Sequence, residues 1–188
     1  MKVAVFASGS GSNFQALVES CQDRPDIEFV LLFSDYHQAY ALERANKLGI
    51  TTLVASPKDF NTREDYENFL LIQMQDYQID YILLAGYMRV IGPPLLEAYP
   101  DRILNIHPSL LPAFPGRHGI ADAYRAGVKE TGVTVHLVDQ GIDTGRILGQ
   151  KKVLIEEGEK LVDLEEKIHQ VEHQLYPQVV KEFLKGVE

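Results

Sequence analysis

Val3-Ala4-Val5-Phe6-Ala7-Ser8-Gly9-Ser10-Gly11-Ser12-Asn13-Phe14 is an apolar run that breaks into a glycine-serine turn and then into a helical pattern. A short run that is apolar throughout, rather than alternating, reads as a strand covered on both faces, as in parallel sheets. Outward from this unit the pattern repeats. Apolar runs at 3–7, 29–33, 51–55, 81–85 and 103–106 alternate with helical stretches at about 13–22, 39–48 and 62–76. Strands alternating with helices are the sign of βαβ units. The expected fold class is α/β, with one doubly wound, mostly parallel sheet.

The third helical stretch opens on Asn61-Thr62-Arg63-Glu64, which reads as an Asn61 N-cap with an acid three residues on. Further along, Val133, Val135 and Leu137 alternate with Thr134 and His136, giving a strand with one more polar face, and another strand is expected over about 146–155. Leu161, Leu164, Ile168, Val171, Leu175, Val179 and Phe183 recur in steps of three and four. That spacing predicts one long C-terminal amphipathic helix, kinked or interrupted at Pro177. The longest irregular region is 107–119, and its prolines with Leu110, Leu111 and Phe114 predict an ordered, packed loop.

The chain has 188 residues, 45% of them hydrophobic and 24% charged, which suits a single soluble domain. A formal net charge of -9, with 18 Lys and Arg scattered along the chain, argues against a nucleic-acid partner. An anionic ligand must then be held locally, by a helix N-terminus or a few placed cations. Cys21 is the only cysteine, so no intrachain disulfide forms. It reads as a packed core thiol rather than a nucleophile. No signal peptide and no apolar stretch of membrane-spanning length is present, so the expected location is the cytoplasm and no membrane partner is expected.

The turn at Ser8–Asn13 places glycines where the backbone can approach a ligand, ahead of free helix N–H groups that can hold a phosphate. Ser12 and Asn13 can cap the helix or donate to phosphate oxygens. Phe14 stands where a dinucleotide fingerprint wants a small residue, while Asp35 lies roughly where a ribose-binding acid sits. The alternative is a tight turn that binds nothing. A second candidate is Arg102-Ile103-Leu104-Asn105-Ile106-His107-Pro108. Strand geometry aims Asn105 and His107 to one side, and Pro108 keeps His107 extended. An amide can donate to a developing oxyanion and a histidine can exchange a proton near neutral pH. The same pair could equally satisfy loop backbone groups. Asp143, in Gly141-Ile142-Asp143-Thr144-Gly145, is either a carboxylate held near that imidazole or a turn acid bonded to its own backbone.

Taken together, Gly9-x-Gly11-Ser12-Asn13, Leu84-Ala85-Gly86-Tyr87-Met88-Arg89, Asn105-Ile106-His107-Pro108-Ser109-Leu110-Leu111-Pro112, Phe114-Pro115-Gly116-x-His118, Asp143-Thr144-Gly145 and Glu172-His173-x-Leu175-Tyr176-Pro177 occur in order. This series resembles the phosphoribosylglycinamide formyltransferases, folate-dependent enzymes of purine synthesis, over essentially the whole chain. The resemblance implies a Rossmann-like formyltransferase domain over 1–188, with 1–100 as the phosphate-binding half and 101–188 as the catalytic and folate-binding half. It implies that Gly11, Ser12 and Asn13 hold the ribose phosphate and that Glu172 contacts the ribonucleotide. Arg63, Met88, Arg89, Val90, Ile91 and Asn105 would contact the folate. Asn105 and His107 would act on the formyl group, with Asp143 raising the His107 pKa. The implied co-substrate is 10-formyltetrahydrofolate, no metal is required, and the protein would be a monomer or homodimer. His118 is left between a structural role and ligand contact, whereas His136 and His173 are expected to be structural.

Two positions depart from the family pattern. Arg146 stands where Pro is usual, leaving the Asp143 loop less rigid or with an added charge. Asp35 replaces an Asn and is expected to be remote from the chemistry. Among rivals, a methionyl-tRNA formyltransferase should carry a further C-terminal domain with basic surface, and a formyltetrahydrofolate hydrolase a further N-terminal domain. A non-catalytic nucleotide-binding protein would have no reason to combine the glycine loop with Asn105, His107 and Asp143.

Overall fold

A computed structural model of the chain describes residues 1–185. Its elements run β1 (Lys2–Phe6), α1 (Ser12–Ser20), β2 (Glu28–Ser34), α2 (Tyr40–Lys47), β3 (Thr51–Val54), a 3-10 turn (Pro57–Asp59), α3 (Arg63–Asp76), β4 (Tyr81–Leu84), α4 (Pro93–Ala98), β5 (Ile103–His107), α5 (Gly119–Arg125), β6 (Glu130–Leu137), β7 (Ile147–Leu154) and α6 (Leu161–Lys185). The strands form one sheet in the order β3-β2-β1-β4-β5-β6-β7. β1 is parallel to β2 and to β4, β2 is parallel to β3, and β6 with β7 is antiparallel. Chain order reverses at β1, and in such sheets ligands bind past the carboxyl ends of the strands at the reversal. Residues group into two compact units, Met1–Leu104 and Asn105–Glu188. Among the described residues no helix is long and apolar enough to cross a membrane.

In the first unit Val3, Ala4, Val5 and Phe6 are fully buried, as the all-apolar run requires. Phe6 packs against Phe33 of β2 and the ring of Tyr87, with centroids 4.8 and 5.3 Å away. α1 turns Phe14 and Leu17 inward, three residues apart on one face, and both are fully buried. Each such side chain contributes about 1.5–3 kcal/mol, so Phe14 is a core residue of a helix that packs tightly without a third small residue. The α3 cap lies one residue later than the sequence suggests. Thr62 accepts from the Asp65 N–H at 3.0 Å, and Asp65 accepts from the Thr62 N–H at 3.2 Å, so both box members shift from Asn61 and Glu64. α4 was not anticipated, although Pro93 and Pro94 fill its first positions, where a missing N–H costs nothing.

In the second unit β6 is buried from Thr131 to Leu137. Its polar face does not meet solvent: the Thr134 hydroxyl donates to the Ser109 carbonyl at 2.7 Å, and His136 Nδ1 bonds the Leu137 carbonyl at 2.7 Å. Paired in this way, polar groups can be buried without a large desolvation cost. The 107–119 stretch is packed: Leu111 is buried, its N–H donates to Thr134 Oγ1 at 3.1 Å, and Ser109 Oγ donates to the Ala113 carbonyl at 2.6 Å. α5 follows this loop and was also not anticipated. α6 continues through Pro177 as one helix, burying Leu164, Ile168, Leu175, Val179 and Leu184.

Candidate active site

β5 ends on Asn105 and His107, and period-two geometry sends both side chains to the same cluster. Asp143 lies there: its Oδ2 is 3.5 Å from His107 Nδ1 and its Oδ1 is 3.5 Å from His136 Nε2. The Gly116 N–H donates to Asp143 Oδ2 at 2.7 Å, and Asn105 Nδ2 bonds His136 Nε2 at 3.2 Å. His107 Nε2 bonds the Phe114 carbonyl at 2.8 Å. With that nitrogen carrying a hydrogen, the ring presents a second one to Asp143 only as imidazolium. His136 works differently. Its Nδ1 bonds the Leu137 carbonyl, and its Nε2 stands between the Asn105 amide and Asp143 Oδ1. Burial pushes the Asp143 carboxyl up, but the His136 ring, the Gly116 amide and the His107 ring outweigh it and hold it below the ordinary carboxylate range.

The loop that carries Asp143 is closed locally. Asp139 Oδ1 accepts from the Gly141 N–H at 2.9 Å and from Thr144 Oγ1 at 2.6 Å, and the Leu137 N–H donates to the Arg146 carbonyl at 2.9 Å. A Cβ on Gly145 would lie 1.8 Å from the Leu137 carbonyl oxygen, so only glycine allows this closure. Arg146 therefore contributes its backbone to the end of the β6–β7 ladder, and its exposed side chain leaves the loop intact.

In the first unit, Gly11 has φ 73° at the N-cap of α1, and a Cβ there would meet Ala41 at 2.6 Å. Neither Ser12 nor Asn13 caps the helix: the cap is Gly11, and the Ser12 N–H donates to Ser10 Oγ at 3.3 Å. These residues instead supply the opening N–H groups of a helix at the carboxyl end of β1, a geometry suited to an anion. The segment after β4 is held from several sides. Arg63 Nη2 donates to the Val90 carbonyl at 3.0 Å, and the Gly92 N–H donates to Glu67 Oε1 at 3.0 Å. Met88 and Val90 keep half of their surface exposed while Ile91 is buried. Asp35, expected to be remote, accepts from Ser8 Oγ and from Arg89 Nε, each at 2.6 Å. These two bonds tie Asp35 to the glycine turn and to the segment after β4.

Glu172 is buried in α6 and bonds His169 Nδ1 at 2.8 Å, a partner that raises the His169 pKa. His118 is exposed at the start of α5, and His173 lies in α6. His136, expected from the sequence to be structural, is in contact with both Asn105 and Asp143. The sequence sign of that contact is an imidazole within Val133–Leu137, a stretch otherwise apolar or hydroxyl-bearing. Beside it the β6–β7 register slips, Val135 pairing with Gly149 and His136 with Ile147, and bulges of this kind re-aim side chains.

The family model described as formyl transferase matches residues 1–180. A phosphoribosylglycinamide formyltransferase of Bacillus subtilis (strain 168) is 46% identical over 184 residues, covering 97% of this chain and 94% of the relative. A solved glycinamide ribonucleotide transformylase 1 from Geobacillus kaustophilus is 53% identical with a TM-score of 0.93, over 97% of this chain and 98% of that one. The solved phosphoribosylglycinamide formyltransferase of Bacillus halodurans is 48% identical with a TM-score of 0.96, over 100% of this chain and 97% of that one.

Proposed function

The chain belongs to the formyl transferase family, and from that premise we propose that it moves the formyl group of 10-formyltetrahydrofolate onto the amine of glycinamide ribonucleotide in purine synthesis. The observation that carries this reading is the Asp143 carboxylate set between the His107 and His136 rings, with the Asn105 amide on the same cluster. The free amine attacks the formyl carbon, and its electron pair forms the new C–N bond while the carbonyl oxygen takes the negative charge. Asn105 donates to that oxyanion through the amide hydrogen not aimed at His136, and imidazolium His107, whose ring hydrogens face Phe114 and Asp143, stabilises it by its charge. Asp143 faces His107 Nδ1 and is its counter-charge when the ring is protonated. It also positions a water that carries the proton from the attacking nitrogen to N10, and collapse of the intermediate then breaks the C–N10 bond and releases tetrahydrofolate.

Gly11, Ser12 and Asn13 hold the ribose phosphate and Glu172 contacts the ribonucleotide. Arg63, Met88, Arg89, Val90, Ile91 and Asn105 contact the folate. Residues 1–188 act as one functional domain, with phosphate binding in 1–100 and catalysis in 101–188. The chemistry as written uses no metal, and the reading places the protein in the cytoplasm as a monomer or homodimer, with neither nucleic acid nor membrane as a partner. The test offers 10-formyltetrahydrofolate with the ribonucleotide, with water alone or with methionyl-tRNA, following folate deformylation by absorbance. Turnover is expected only with the ribonucleotide. Deformylation that proceeds without it overturns the reading in favour of a hydrolase, and a response to the tRNA favours an aminoacyl-tRNA formyltransferase.

A further inference from the structure

We propose that Asp35 is a positioning residue for formyl folate binding, its buried carboxylate fixing Arg89 directly and the Met88 amide through Ser8. The inference rests on the reading of Met88, Arg89, Val90 and Ile91 as folate contacts. Asp35 follows β2 directly, and its side chain is 5% exposed, against 46% for the Arg89 side chain. Oδ2 accepts the Arg89 Nε–H at 2.6 Å, and Oδ1 accepts the Ser8 hydroxyl at 2.6 Å. Having given its hydrogen to Asp35, the Ser8 oxygen accepts the Met88 N–H at 3.0 Å, while the Ser8 N–H donates to the Gly86 carbonyl at 3.1 Å. The residues just past β2, β1 and β4, three neighbours in the sheet, are thereby joined through one carboxylate.

The segment after β4 has no helical or strand ladder of its own as far as Gly92, so its shape depends on such bonds. Arg89 has a long, rotamer-rich side chain, and holding it before a ligand arrives removes part of the ordering cost of binding. The bond to Asp35 uses Nε alone, which leaves both Nη groups as donors toward a ligand. The charge on Asp35 matters as well. A buried carboxylate needs a compensating partner, so Asp35 holds Arg89 as firmly as Arg89 satisfies Asp35. A carboxylate that served only to staple the fold would affect stability and leave substrate affinity alone. One that positions Arg89 alters the formyl folate KM and acts non-additively with Arg89.

Steady-state kinetics of the wild type, Asp35→Ala, Arg89→Gln and the double variant separate these cases. Each single change is expected to raise the KM for 10-formyltetrahydrofolate about tenfold, with kcat and the ribonucleotide KM within about threefold of wild type. The double variant should match the singles, about tenfold rather than about a hundredfold, because both act on one arrangement. An unchanged folate KM in Asp35→Ala, a multiplicative double variant, or a loss confined to kcat overturns the proposal. Should circular dichroism show Asp35→Ala unfolded, Asp35→Asn keeps the volume and the acceptor for Ser8 while removing the charge facing Arg89. It should raise the folate KM about threefold, and no change refutes the proposal. Calorimetric titration with tetrahydrofolate distinguishes the two levels of failure. Wild type that does not bind it defeats the folate reading itself, whereas binding of equal strength in wild type and Asp35→Ala defeats only the role of Asp35.

Discussion

A carboxylate 3.5 Å from two imidazoles is chemically a different group from the same carboxylate in water. Asp143 is more than a turn residue because both of its oxygens are engaged, one facing His136 and the other facing His107 and the Gly116 amide. Removing its charge while keeping its shape takes away the negative charge that faces His107 Nδ1. Asp143→Asn and His107→Ala are each expected to lower kcat by about 10²–10⁴-fold, the usual worth of a placed acid or base, with ribonucleotide binding still measurable by calorimetry. Turnover near wild type in either variant would sink the role assignment. Asp143 also carries a stability signature. Its pKa is lowered by folding, so the ionised form favours the folded state. That contribution is fully present above the ordinary carboxylate value and is lost as pH falls through the lower folded value. Asp143→Asn should therefore melt below wild type at neutral pH, and the gap should close in strongly acidic buffer. A gap that widens on acidification would contradict this. That Asn105 and His107 share one side of β5 was legible from the sequence because period two is a local rule. His136 was not, since its partners come from other elements and its own strand shows only an alternation of apolar and polar residues.

Helices and strands differ in how openly the sequence displays them. Long periodic segments such as α6 and strands built on all-apolar runs such as β1 and β4 were evident, because burial imposes a repeat that many residues share. α4 and α5 were not: with six and seven residues they complete too few turns to show a period, and their stability comes from packing. The α3 cap was misplaced by one residue because Asn61 and Thr62 both suit an N-cap, and only the Thr62–Asp65 exchange in the fold chooses between them. Pro177 gives the clearest quantitative test. A proline inside a helix is about 3 kcal/mol less favourable than alanine, while its buried ring returns about 1–2 kcal/mol through apolar burial. The first term wins, so Pro177→Ala should raise Tm by about 2–4 °C for a net gain near 1 kcal/mol. A lower Tm would show that the packing of the ring outweighs its backbone cost.

The chain carries a formal net charge of -9, and both proposed substrates are anionic. Its overall field opposes their approach, so the proposed binding requires local donors, for which the opening N–H groups of α1, Arg63 and Arg89 are the candidates. Raising ionic strength from about 0.01 to 0.1 M shortens the screening length from about 30 to 10 Å, which weakens the long-range repulsion more than the close contacts. The ribonucleotide KM should therefore stay flat or fall over that range. A steep rise, as in a protein that neutralises phosphates with a basic surface, would refute the argument. Residue order alone established the α/β class, the glycine turn into α1, the strand ending on Asn105 and His107, and the family motifs, because each is a pattern within a few turns or one strand. Only the folded structure decided which carboxylate meets which imidazole, that His136 joins them, and that Asp35 ties Ser8 to Arg89. Those contacts join residues far apart in the chain, and they exist only once strand order, register and loop closure have brought the ends of the strands together.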